Sequence, residues 1–106
     1  MQKGIGVAIT LAALCLCMSA MATVQAAADG KQLFQERCGA CHPNGGNIIN
    51  PKKTLHKADR VANKCDTVAL LVAKMRHPGP GMTPFDAKSL ADSDAKAVAE
   101  YILKTF

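Results

Sequence analysis

From Asp29 onwards the apolar residues of this chain recur at helical spacing, and no stretch alternates as a strand would. Asp29-Gly30-Lys31-Gln32-Leu33-Phe34-Gln35-Glu36-Arg37 reads as a first helix, with Asp29 as N-cap and Leu33, Phe34 and Cys38 on one side. Gly30 and Phe34 share a face, so the glycine lets another helix come close while the ring fills the gap beside it. Residues 53–63 suit a short, irregular helix using Leu55, Ala58 and Val61, with poorly marked ends. A clearer helix opens at Asp66 or Thr67 and turns Val68, Leu71, Val72 and Met75 inward. Arg76 and His77 suit the negative end of that helix, and Pro78-Gly79 stops it. A terminal helix opens at Asp92 or Ser93, with Ala95, Val98, Ala99, Ile102 and Phe106 facing in. Between these lie two segments without periodicity. Residues 43–51 are rich in turn formers, and residues 78–85, Pro-Gly-Pro-Gly-Met-Thr-Pro-Phe, are too broken for helix or strand. The class is all-α, with about four helices.

The pattern before Asp29 is of another kind. Lys3 supplies a positive start, residues 5–18 form an apolar run, and Val24-Gln25-Ala26 ends in small or β-branched residues. This is the layout of a secretory signal, cut after Ala26 or after Ala28, so that residues 1–28 form the leader and residues 29–106 one domain. The run is shorter than the roughly 20 residues of a membrane span. A lipoprotein cut at Cys15 or Cys17 is the alternative, disfavoured by the bulky Leu14 and Leu16 before them. The expected address is therefore outside the cytoplasm, in a bacterial periplasm, with a lipid anchor as the variant.

Composition sharpens this picture at three points. About 78 residues remain after the leader, and a domain of that size has too small a core to be comfortable without a staple. Of the +5 formal charge, about +4 stays with the mature chain, which is too little and too scattered for nucleic acid; with Tyr101 as the single tyrosine and no tryptophan, base stacking is also poorly provided for. Of five cysteines, two leave with the leader, Cys38 and Cys41 belong to a motif, and Cys65 is left over, either buried or paired with another molecule.

That motif is Cys38-Gly39-Ala40-Cys41-His42, a C-x-x-C-H. Two thiols at this spacing can each add across a vinyl group of one porphyrin, and the following imidazole is carried beneath the ring to bind its iron. A zinc site needs two further ligands at short spacing, and a thioredoxin-like site needs a larger α/β chain; neither is offered. The turn-rich loop after His42 folds over one edge of the ring, and one of its carbonyls should accept the second imidazole proton.

The sixth iron position separates electron transfer from small-molecule binding. Candidates are Met75, Met82, His56 and His77. Met82 is preferred, because Pro78, Pro80 and Pro84 stiffen its loop and reduce the entropy lost when a weak thioether ligand is held. Met75 fits a packed helix face, His77 an exposed helix end, and His56 is the outsider in an uncertain stretch. An open site remains the alternative and would make this a haem enzyme or gas-binding protein.

In Gly30-Lys31-x-Leu33-Phe34, Cys38-Gly39-Ala40-Cys41-His42, Gly45-Gly46-Asn47, Lys53-Thr54-Leu55, Met82-Thr83-Pro84-Phe85 and Ala97-Val98-Ala99-Glu100-Tyr101-Ile102 the chain resembles the class I c-type cytochromes, and within them the small c6-like (cytochrome c-553) branch. The resemblance implies the cytochrome c fold around one covalently bound haem c, first and last helices crossing at Gly30, Phe34 and Tyr101, and His42 and Met82 as axial ligands. It implies a monohaem carrier, not an enzyme, serving redox partners such as other cytochromes and periplasmic or membrane oxidoreductases, monomeric and without a small-molecule substrate. Lys52, Lys53, Lys74 and Lys88 would steer it towards an acidic partner. Thr83 interrupts the usual Met-Pro pair, the segment after Phe85 lacks the family's glycine pair and arginine, and Cys65 is unusual.

Overall fold

The computed structural model describes residues 29–106. The leader proposed for residues 1–28, with Cys15 and Cys17, lies outside the described residues. Four helices follow one another: α1 (Gly30–Arg37), α2 (Lys57–Ala62), α3 (Val68–Arg76) and α4 (Asp92–Thr105), with a short 3-10 turn at Pro43–Gly45. Among the described residues there is no strand, and no helix is long and apolar enough to cross a membrane.

The helix starts obey local chemistry. Asp29 Oδ1 accepts the Lys31 N–H at 3.0 Å and Thr67 Oγ1 accepts the Leu70 N–H at 3.1 Å, each satisfying an otherwise orphaned donor. Helix α4 begins at Asp92, one of the two starts expected, and its cap, Ala91, has no capping side chain. Asp92 is drawn off instead to Arg76, 2.6 Å away.

Packing is organised by α4, the longest helix, whose Ala95, Val98, Ala99 and Ile102 are buried at the helical spacing expected of them. α1 and α3 both lie against it, contributing Phe34 from one and Leu71 and Met75 from the other. The α1/α4 crossing is close. A Cβ on Gly30 would lie 2.7 Å from the Ala97 carbonyl carbon and 3.2 Å from Tyr101 Cβ, so only glycine permits this approach. Phe34 fills the space beside it, its ring centroid 5.4 Å from both Tyr101 and Phe106.

Helix α2 departs from expectation. It is shorter than residues 53–63 suggest, and Ala58 and Val61 face solvent, Val61 at 56 % exposure. The residue it buries is Arg60, 2 % exposed, whose Nη1 donates to the Leu55 carbonyl and whose Nε lies 2.8 Å from Asp66. A guanidinium with partners of both kinds in reach turns inward where an apolar pattern alone would have turned the helix the other way.

Candidate cofactor site

The C-x-x-C-H motif forms where α1 ends. The Cys38 N–H closes the helix on Phe34 O at 2.8 Å, and the chain then tightens so that the N–H groups of Cys41 and His42 both point at Cys38 O, at 3.2 and 2.9 Å. This turn puts both thiols and the imidazole on the wall of one cleft. The space free of protein atoms, open mouth included, is about 1180 Å³.

The cleft is lined as well by the segment after α3, with Pro78, Gly79, Pro80, Gly81 and Met82. Phe34, Leu55, Leu71, Met75 and Ile102 form its apolar back, and Lys53 and Lys74 stand among its lining. Gly81, directly before Met82, has φ +92 and sits against Ile49, so the Asn47–Ile49 loop and the methionine segment meet across the mouth.

His42 is fixed by its neighbour loop. Its Nδ1 donates to the Gly46 carbonyl at 2.8 Å, which leaves Nε2 as the nitrogen available to a metal. That loop is itself built by Asn47, whose Oδ1 accepts the N–H groups of Ile49 and Asn50 at 2.9 Å and whose Nδ2 donates to Lys53 O at 2.9 Å. The sequence called for a carbonyl here but could not name Gly46. The Asn47 network had a signal, since asparagine among glycines favours such turns.

Of the other iron-ligand candidates, the two histidines lie outside the cleft's lining, whereas Met75 is part of its wall. His56 is exposed and sets its ring edge-on to Phe106 at 5.9 Å, and His77 is exposed at the end of α3. Met75 is buried and packed in the core. Of the thiols, Cys41 is exposed, while burial pushes the Cys38 thiol up to about 11 against the weaker opposing pull of Arg37. Cys65 also borders the cleft, half-buried, and burial raises it too.

The donor set suits a porphyrin better than a bare ion. Among the described residues no three His, Cys, Asp or Glu side chains gather to hold a metal. An apolar slot with one imidazole and two thioethers, Met75 and Met82, in its lining fits a group that brings its own equatorial ligands.

Comparison with known proteins agrees. Residues 25–102 match the family described as cytochrome c oxidase, cbb3-type, subunit III. Cytochrome c6 of Synechocystis is 43 % identical over 76 residues, covering 72 % of this chain and 62 % of that protein. Cytochrome c6 of Leptolyngbya boryana is 42 % identical over 77 residues, covering 73 % of this chain and 89 % of its own length. Among solved structures, outer membrane cytochrome F of Geobacter sulfurreducens superposes with a TM-score of 0.71 at 43 % identity, over 73 % of this chain and 98 % of the other. Cytochrome c6C of Synechococcus gives 0.68 at 28 % identity, over 73 % and 93 %. With helices, cleft and motif in place, these relatives settle the affiliation: the chain belongs to the c-type cytochromes, in their c6-like branch, and is a monohaem electron-carrier cytochrome whose haem c is covalently bound.

Proposed function

We propose that Cys38 and Cys41 form the thioethers, that His42 and Met82 are the axial ligands, and that the chain moves single electrons between redox proteins outside the cytoplasm. The observation that carries this is the convergence of these four side chains on one apolar cleft, with His42 presented in the tautomer that frees Nε2. Bound there, the haem supplies a one-electron couple, its iron passing between ferric and ferrous states.

The protein's own residues tune that couple. The Gly46 carbonyl orients the imidazole and raises its basicity. Phe34, Leu55, Leu71, Met75 and Ile102 keep water from the back of the slot, which disfavours the extra charge of the ferric form and raises the potential. With Met82 and His42 holding the iron, the thioether would act in the same direction. Ile49, in the cleft's lining, and its neighbour Ile48 are about 60 % exposed, an apolar surface suited to a small, transient contact. Lys53 and Lys74 beside it favour acidic partners, among them other cytochromes and periplasmic or membrane oxidoreductases. A leader over residues 1–28 would deliver the chain to that compartment.

The test is spectroscopic. The ferric protein should be low-spin with the weak red band of an iron–thioether bond, and Met82→Ala should abolish that band. Persistence of the band in the variant, or prompt carbon monoxide binding by the reduced native protein, would overturn the ligand assignment. Because the matched family is described as an oxidase subunit, a second reading makes the chain a fixed member of a larger complex. Size-exclusion chromatography of mildly solubilised extracts separates the two: a free carrier runs as a small monomer, a subunit with its complex.

A further inference from the structure

The segment that presents Met82 is tied shut by one side chain. Arg76, the last residue of α3, donates from Nη1 to the Phe85 carbonyl at 3.0 Å and to the Leu90 carbonyl at 2.7 Å, and its Nη2 meets Asp92 Oδ1 at 2.6 Å. The backbone adds a fourth tie beside it, from the Phe85 N–H to Met75 O at 2.8 Å. His77 to Pro84 therefore form an arch whose two feet are joined at Arg76.

The far foot is a firm block. Asp86 Oδ1 accepts the N–H groups of Lys88 and Ser89, and the Leu90 N–H donates to Asp86 O at 2.9 Å. Arg37 of α1 grips the same block, its guanidinium 5.6 Å from the Phe85 ring centre and its Nη2 2.5 Å from Ser89 O. Leu90 is in the core. By contrast, among the described residues the backbone of residues 78–84, where Met82 sits, is tied by no more than a turn at Pro80–Gly81. The order that reaches the methionine comes from three prolines, that turn, the contact of Gly81 with Ile49 and the feet of the arch.

We propose that Arg76 is a positioning residue for the iron: by joining both feet of the arch it holds the Met82 sulfur against competing ligands. The proposal rests on the reading of Met82 as an axial ligand. A thioether binds iron weakly, so an arch that must be ordered again at each rebinding loses it readily. A planar guanidinium satisfies three acceptors in one fixed arrangement, which a lysine ammonium does not reproduce.

The experiment uses the ferric holoprotein and imidazole as the competing ligand. Hydrogen bonds from a charged donor are strong enough that Arg76→Gln should bind imidazole about tenfold more tightly than wild type. It should also lose its red band on warming before the helical circular dichroism changes. Asp92→Asn, which removes one exposed partner, should shift imidazole affinity in the same direction by about threefold or less. If Arg76→Gln lowers overall stability while imidazole affinity and the thermal loss of the band follow global unfolding as in wild type, the arginine is only structural and the proposal fails. Should Arg76→Gln not retain haem, Arg76→Lys replaces it, with a smaller gain in imidazole affinity expected and an unchanged affinity overturning the idea. Met82→Ala run in parallel keeps the questions apart: a surviving red band there refutes the ligand itself, whereas a normal Arg76→Gln refutes only its support.

Discussion

The Gly30 contact offers a quantitative test of the helix crossing that the molecule is built on. In Gly30→Ala the new methyl carbon would sit 2.7 Å from the Ala97 carbonyl carbon, where 3.4 Å is the start of ordinary contact. The obstructing group is backbone and has no rotamer in which to yield, so α1 and α4 must part by on the order of 1 Å. Overpacking of this kind costs about 1–3 kcal/mol, and a rigid obstacle places it near the upper end. Alanine returns up to about 1 kcal/mol through helix propensity and a less flexible unfolded chain. The net expectation is a loss of about 2 kcal/mol, or a fall in Tm of about 8–16 °C for a domain of this size. Thermal melts and denaturant titrations of the ferric holoprotein, followed by circular dichroism, would measure it. Gly79→Ala is the control, since nothing lies within 4 Å of its added Cβ, and it should change stability by less than about 1 kcal/mol. A Gly30→Ala protein as stable as wild type would refute the close-approach argument.

Two further outcomes are expected. Arg60→Ala should cost about 2–3 kcal/mol, because it leaves the Leu55 carbonyl and Asp66 without their buried partner, with Asp66's 32 % side-chain exposure keeping the loss below that of a fully buried pair; denaturant midpoints decide this, and a loss under about 0.5 kcal/mol would show that water replaces the guanidinium freely. Hydrogen bonds from the backbone of Ser89, then from its hydroxyl, then from Lys88, hold the Asp86 carboxyl below its ordinary 3.8. The folded chain thus favours the carboxylate, so its contribution is intact above pH 3.8 and fades as pH falls through the lower folded value. Acid titration of Asp86→Ala should lack this part of the wild-type loss, and identical acid curves would remove Asp86 from the account.

Much of the site was legible because its chemistry is local. Cys38, Cys41 and His42 are set by spacing within one turn, Asp29 and Thr67 cap helices through adjacent backbone, and Gly30 with Phe34 declares a helix crossing within five residues. The rest depends on partners far along the chain. Arg60 looks like a surface residue until Leu55 O and Asp66 are brought to it, and Ala58 and Val61 lose their inward places as a result. Arg76 suited a helix end by charge alone, yet its function in the fold lies in acceptors nine to sixteen residues away. The segment after Phe85, which lacks the family's glycine pair and arginine, gave no periodicity to read. It is held from outside by Arg37 and Arg76, with Leu90 as an anchor that no pattern announced.

The pairing of α1 with α4 also governs how the molecule comes into being. These helices stand at opposite ends of the described chain, so their contact closes only after everything from Cys38 to Ala91 has been looped between them. Such distant partners raise contact order and slow folding, because closure entropy is lost before the contact rewards it. Cys38 directly follows α1, and in the finished fold its thiol is screened from the nucleophilic thiolate form. The meeting of α1 with α4, distant as they are in sequence, is a late contact in folding, and it is the one that closes the chain between Cys38 and Ala91 into a single body.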